Sequence, residues 1–378
     1  MKKTAEIIVK KFINYKMTDN QLYKTIKNDN VSIELYLANA LKIPRENESI
    51  DCVVTSPPYW GLRDYGTGKW IGGINDCDHL QVNDVRKNVK QTTSVGTTKL
   101  GYKGICKKCG AKRIDKQIGL EETPEEYVKT IVNVFKEVWR VLKPTGTVWL
   151  NLGDSYSSFR ATGTSDNENV GSAKVTGNLK PKDLVGIPWR VALALQADGW
   201  YIRSDIIWHK PNPMPESVKD RPTRSHEYIF LLTKSEKYYY DYMAISEPIK
   251  DSTLDRYKYG WNGDQNRDYP SGDQNNLSAF FGSKKSQKAT VRNKRDVWTI
   301  HTQAYAEAHF ATFPEKLIEP CILAGSPKGG MVLDLFVGSG TTMVAAIKNH
   351  RNGIGIDINS EYLEIAINRI NGSTQKLF

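Results

Sequence analysis

Six consecutive residues, Thr55-Ser56-Pro57-Pro58-Tyr59-Trp60, combine groups suited to holding a flat ring that bears an amino group. Ser56 offers a hydroxyl, Pro57 and Pro58 keep carbonyls but have no N–H, and Tyr59 and Trp60 offer aromatic faces. The apolar run at 50–54 leads in, and the two prolines forbid its continuation, so the pattern predicts a buried strand ending in a rigid corner. Open α/β sheets carry their chemistry at such carboxyl ends. Ser56, Pro57, Pro58 and Tyr59 are therefore the catalytic candidates. For this stretch alone, a proline turn with aromatics from the core edge is the alternative.

A second constellation lies near the C-terminus. Met331 to Phe336 is a short β-rich run, Val337-Gly338-Ser339-Gly340-Thr341-Thr342 follows, and apolar periodicity then continues through Ile347. The order is strand, glycine turn, helix. Met343 stands where a dinucleotide fingerprint needs its last glycine, so that motif fits poorly. One strand later, Asp357 ends the run from Gly353, where an acid suits ribose hydroxyls. A nucleoside without a pyrophosphate fits this pair better than a dinucleotide.

Taken together, TSPPYW and DLFVGSGTT resemble the motifs of the amino-group DNA methyltransferases that use S-adenosylmethionine, with the catalytic motif first, as in the permuted β class. The resemblance spans roughly residues 31–60 and 120–370. It implies a doubly wound, mainly parallel α/β sheet of Rossmann-like type, circularly permuted and carrying inserts. It also implies methyl transfer to the exocyclic N4 of a cytosine flipped out of duplex DNA. Members with Ser at position 56 lean towards cytosine N4, and those with Asp towards adenine N6, which is the alternative. A catalytically silent DNA-binding protein of the same fold, and methylation of RNA or protein, are the competing readings.

The resemblance assigns Thr55, Asp334, Phe336, Gly338, Ser339, Gly340, Thr341 and Asp357 to the cofactor. Asn39 stands where members carry the acid of a Gly-Asp pair, and Phe310 and Pro314 would wall the cofactor's methionine end. Trp60, His209, Lys210 and Asn212 would lie near the flipped base. A restriction endonuclease acting on the same site is the partner such an enzyme would have.

Charge agrees with a polyanionic partner. The formal net charge is +11, and Lys284, Lys285, Lys288, Arg292, Lys294 and Arg295 crowd a dozen positions without apolar periodicity. Cations in such a cluster neutralise phosphates and release counterions. No run of about 18 apolar residues suggests a membrane span, and no secretion signal is expected, so the cytoplasm is the expected location.

Five cysteines are too few for a disulfide framework at this length. Three of them group with a histidine: Cys77 and His79, then Cys106 and Cys109 in CxxC spacing. These are four soft ligands for a tetrahedral structural zinc, in a hydrophilic stretch that has little core of its own. Four unrelated reduced residues in a loop are the alternative. Cys321, in the one Pro-Cys pair, falls in an apolar helical pattern and reads as core rather than as a nucleophile.

The positioning elements follow from pattern. Thr123-Pro124-Glu125-Glu126 carries a capping box with proline at the first helical position, and Tyr127, Ile131, Val134, Phe135, Val138 and Leu142 recur at helical spacing. Strands are expected over 32–38, 147–152, 200–208 and 227–232, and helices over 183–196 and 315–324. The expected organisation is a catalytic half at 31–60 and 119–245 and a zinc-knuckle insert at 61–118. A target-recognition region at 246–296 and a cofactor half at 297–378 complete it.

Overall fold

The computed structural model describes residues 20–28, 31–61, 68–74, 76–77, 105–106, 108–115, 117–157, 179–249, 291–303 and 313–374. His79, Lys284, Lys285, Lys288 and Phe310 lie outside the described residues. In chain order the elements begin with β1 (Gln21–Asn28), β2 (Val31–Leu37), β3 (Ile50–Thr55), β4 (Lys69–Ile71) and β5 (Lys112–Ile114). Then come α1 (Pro124–Val141), β6 (Leu142–Leu152), α2 (Ile187–Ala197), β7 (Tyr201–His209), β8 (His226–Thr233), β9 (Glu247–Pro248), β10 (Val291–Arg292) and β11 (Val297–Thr299). The chain closes with α3 (Glu315–Gly325), β12 (Met331–Asp334), α4 (Thr341–Lys348), β13 (Asn352–Asp357) and α5 (Ser360–Thr374).

Nine strands form one sheet in the order β1-β2-β13-β12-β3-β6-β8-β7-β11. β2, β13, β12, β3 and β6 run parallel. β8 runs antiparallel to both its neighbours, and β7 thereby shares the direction of the central strands. From β12 the chain passes through α4 to β13 on one side, and from β3 through α1 to β6 on the other. The strand order therefore reverses between β12 and β3, and the crevice outside their carboxyl ends is where such sheets bind ligands.

Alternation along each strand feeds two cores. One face of the sheet, including Val53, Val148, Leu150, Phe230, Leu333 and Ile354, packs on α1 and α2. The other, including Cys52, Val54, Trp149, Leu231 and Val332, packs on α3, α4 and α5. Runs apolar on both faces are what a covered parallel sheet requires.

Helix α1 starts as its sequence dictates. Glu126 N donates to Thr123 Oγ1 at 3.1 Å, and Thr123 N donates back to Glu126 Oε2 at 3.3 Å. Helix α2 begins at Ile187, four residues later than expected. Gly186 turns the chain with φ +77, and Asp154 at the end of β6 accepts from Gly186 N and Ile187 N at 3.0 Å each. A distant carboxylate thus caps the helix, which local sequence does not reveal.

Candidate active site

All the strands that end in expected site residues deliver them to one edge of the sheet. Asn39 follows β2, Asp357 ends β13, Asp334 ends β12, Thr55 ends β3, and His209 ends β7. At the centre, Val332 pairs with Cys52 and Leu333 with Val53, which sets Asp334 beside Thr55. Thr55 Oγ1 donates to Asp334 Oδ1 at 2.8 Å, Phe336 N to the same oxygen at 3.1 Å, and Thr342 Oγ1 to Asp334 Oδ2 at 2.5 Å. Asp334 is 1 % exposed, and its burial pushes the carboxyl up to about 6 despite these three donors. It fastens the proline corner to the glycine turn from beneath.

The corner itself is held from several sides. Ser56 Oγ lies 3.4 Å from Tyr59 Oη, and that hydroxyl donates to Glu227 Oε2 at 2.8 Å, with Asn151 Oδ1 at 3.1 Å. Glu227, at the start of β8, also pairs with Lys210, whose ammonium sits 4.2 Å from the centre of the Trp208 ring. Asn151 Nδ2 donates to Glu227 Oε2 at 3.2 Å and to the Tyr228 carbonyl at 3.1 Å. Burial first, then the Glu227 charge, holds the Tyr59 hydroxyl well above its ordinary range, so it remains a donor. Gly153 leaves room for the ring: a Cβ there would stand 2.5 Å from Tyr59 Cε2. The Pro58 carbonyl accepts from Tyr127 Oη at 3.0 Å, which ties the corner to α1.

Trp60 is a correction to the sequence reading. It is 3 % exposed within the α1-side core, and its indole N–H donates to the Glu121 carbonyl at 3.1 Å. An indole so enclosed backs the corner and presents no face to a nucleic acid.

On the turn side, Gly338 N donates to Asp357 Oδ2 at 3.0 Å and Asn359 N to Oδ1 at 2.9 Å. Burial pushes Asp357 up to about 6, with the nearby Asp334 charge adding to it. Gly340 opens α4 with φ +81, and a Cβ there would lie 2.9 Å from that of Ala366 in α5, so only glycine fits. Ser339 Oγ and Thr341 Oγ1 accept from Arg369 at 2.9 and 2.7 Å, so their side chains anchor the turn to α5. Phe336 is partly exposed at the head of the turn. Asn39 Oδ1 accepts from Leu41 N at 2.9 Å, and Ala38 N donates to the Asp357 carbonyl at 3.0 Å, which seats Asn39 next to that acid. Pro314 is buried at the start of α3.

Further along the edge, His209 Nδ1 lies 3.1 Å from Thr299 Oγ1, and Asn212 brackets Thr302 through its N–H and carbonyl at 3.0 and 3.3 Å. Of the basic cluster, Arg292, Lys294 and Arg295 all converge on Glu247, at 3.3, 3.8 and 3.3 Å. Cys321 is fully buried in α3, its thiol raised well above the ordinary value by burial, which fits a core role. In the insert, Cys77, Cys106 and Cys109 approach one another beside the β4–β5 pair.

Sequence reasoning missed Glu227, Asn151, Gly153 and Arg369. Two of them carried a signal. Asn151 is the one polar residue in Val148-Trp149-Leu150-Asn151-Leu152, and Glu227 opens an apolar strand run. A polar side chain with no surface reason to sit in a buried strand points into a site.

This strand order, with a glycine turn and a polar corner meeting at its switch point, is that of a Rossmann-like methyltransferase fold. A family model described as DNA methylase matches residues 50–368. The type II methyltransferase M.Cfr9I of Citrobacter freundii is 41 % identical over 346 residues, covering 89 % of this chain and 87 % of that one. M.SmaI of Serratia marcescens is 41 % identical over 331 residues, 86 % and 85 % of the two chains. Among solved structures, the PvuII DNA methyltransferase, described as cytosine-N4-specific, shares the fold over 95 % of each chain, with a TM-score of 0.53 at 16 % identity. The chain belongs to the DNA methylase family whose members modify exocyclic amino groups of bases.

Proposed function

We propose that the chain methylates N4 of a cytosine flipped out of duplex DNA, using S-adenosylmethionine bound at the turn from Phe336 to Thr341. The observation that carries this reading is the Thr55–Asp334 bond, because it sets the corner and the turn on one crevice. A nucleoside is the ligand proposed for that edge. In support, the backbone at Gly338 and Gly340 brings no side chain, and Asp357 ends the adjoining strand, a position where an acid suits ribose hydroxyls. When bound, S-adenosylmethionine supplies a methyl group made electrophilic by its sulfonium.

The chain's residues then prepare the nucleophile. An exocyclic amino nitrogen is poor because its lone pair is delocalised into the ring. Ser56 Oγ and the Pro57 carbonyl accept its two hydrogens, draw them from the ring plane and free the lone pair for in-line displacement. In that displacement the nitrogen–carbon bond forms as the methyl's bond to sulfur breaks, a neutral thioether is left, and one amino proton passes to water. Positioning supplies most of the acceleration. Tyr59 stacks on the base, its ring fixed by Glu227, Asn151 and Gly153. His209, Lys210 and Asn212 line the base side, and Arg292, Lys294 and Arg295 face the phosphates. Cytosine is chosen over adenine on Ser56, the residue that leans towards N4 in the motif this corner resembles; adenine N6 is the alternative, since both amino groups present the same local chemistry.

The relatives' type II names support pairing with an endonuclease that cuts the same site. Among the described residues no helix is long and apolar enough to cross a membrane.

The test is transfer of tritiated methyl to duplex DNA, with the product nucleosides separated. The reading expects N4-methylcytosine and a loss of about a hundredfold or more in Ser56→Ala and Tyr59→Ala. N6-methyladenine would replace cytosine by adenine, and full rates in both variants would remove the corner from the chemistry.

A further inference from the structure

Away from the methyl-transfer crevice, Cys77, Cys106 and Cys109 bring their Sγ atoms within 4.8 Å of one another. Cys77 Sγ and Cys106 Sγ are 3.8 Å apart. A disulfide would need roughly 2.05 Å. Four sulfur-type donors at about 2.3 Å from a central ion stand about 3.8 Å apart along each tetrahedral edge. The spacing is that of metal ligands.

The surrounding backbone is shaped for these thiols. Cys106 N donates to the Ala111 carbonyl at 2.6 Å and Gly110 N to the Cys106 carbonyl at 2.8 Å, closing a tight knuckle. At Gly73 a Cβ would fall 2.7 Å from Cys109 Sγ. The described strands of the segment are short and carry exposed apolar side chains. β4 and β5 pair over three positions, and Ile71, Ile74 and Ile105 are 57, 63 and 63 % exposed. A two-stranded hairpin of this size is marginal in water without a staple.

We propose that Cys77, Cys106 and Cys109 bind a zinc ion as thiolates, releasing their protons on binding, and that this ion staples the β4–β5 pair. Thiolates and tetrahedral spacing select zinc over hard, oxygen-seeking cations. The described residues supply three of the four donors that tetrahedral zinc takes. The insert's base lies on the catalytic corner. Gly61 N donates to the Gly119 carbonyl at 2.8 Å, and a Cβ on Gly119 would stand 3.1 Å from the Tyr59 carbonyl. The metal thereby holds in place the hairpin that enters and leaves beside Tyr59.

The full chain, produced with zinc supplied, is assayed for metal released by a mercurial. The expected result is about one zinc per chain, kept in Cys321→Ala and lost or bound at least about tenfold more weakly in Cys77→Ser, Cys106→Ser and Cys109→Ser. Should a serine variant aggregate, cobalt(II) titration of the parent decides: thiolate-to-cobalt charge transfer with tetrahedral ligand-field bands is expected. A folded parent without zinc, equal zinc in all three serine variants, cobalt spectra without thiolate bands, or a Cys77–Cys106 disulfide in the purified chain would each overturn the proposal. Metal counting needs no methyl transfer, so this failure and that of the methyltransferase reading are distinguishable.

Discussion

Thr55 Oγ1 donates to Asp334 Oδ1 at 2.8 Å across 279 positions of sequence. The bond is buried, charge-assisted when Asp334 is ionised, and joins the last residue of β3 to the last of β12. Because Thr342 grips the other carboxylate oxygen, one side chain sets the distance between the proline corner and the helix that follows the glycine turn. Removing the donor leaves a buried acceptor short of a partner. Thr55→Val is expected to lower stability by about 1.5–3 kcal/mol, read from urea unfolding. An unchanged midpoint would show that Asp334 finds its donors elsewhere.

Asp334 also sets a pH dependence. Its folded value of about 6 lies above the ordinary 3.8, so the folded state binds this proton more tightly. Its contribution to stability is present in full below pH 3.8 and is lost as pH rises to about 6. Asp334→Asn removes that loss. Between those limits the parent is expected to lose stability relative to the variant, and parallel profiles in urea titrations at several pH values would contradict the assignment.

Asp357 gives the matching prediction for the donor. If its carboxylate holds the ribose hydroxyls, S-adenosylmethionine binds more weakly as pH falls through about 6, by up to about tenfold per pH unit for one group. Because the Asp334 charge helps raise Asp357, Asp334→Asn shifts this midpoint downwards. Calorimetric titration across that range checks both. A flat profile would take Asp357 out of the binding step.

Glu227 and Gly153 act through Tyr59. Glu227→Gln weakens the acceptor for the Tyr59 hydroxyl and breaks the pair with Lys210. The expected loss in kcat is about 10- to 100-fold, from the strength of hydrogen bonds to charged groups, with donor affinity unchanged. Gly153→Ala drives a methyl into the ring and should cost about a hundredfold by displacing it. Equal losses in donor binding would mean that these residues support the whole fold rather than the base side.

Much of this arrangement could be read from sequence because it is encoded locally. The Thr123 cap, the apolar stripe from Tyr127, the prolines after Thr55 and the glycines after Phe336 each act within a turn of their own position. What escaped depends on contacts between distant segments. The start of α2 is set by Asp154 from another element, and Glu227 reaches Tyr59 only once β8 is laid antiparallel beside β6. Trp60 looked like a free aromatic face beside the corner but is enclosed by the α1-side core. Arg292, Lys294 and Arg295 looked like a loose basic run, yet a carboxylate 45 positions upstream of Arg292 gathers them.

The most direct test of the shared crevice is a co-crystal of the chain with an unreactive S-adenosylmethionine analogue and a duplex bearing the target site. The analogue is expected against the turn at Gly338–Gly340, its methyl-equivalent group aimed at the amino nitrogen of an extruded base held by Ser56 and Pro57. An analogue seated away from that turn, or a target base still stacked in the duplex and remote from Ser56, would contradict it.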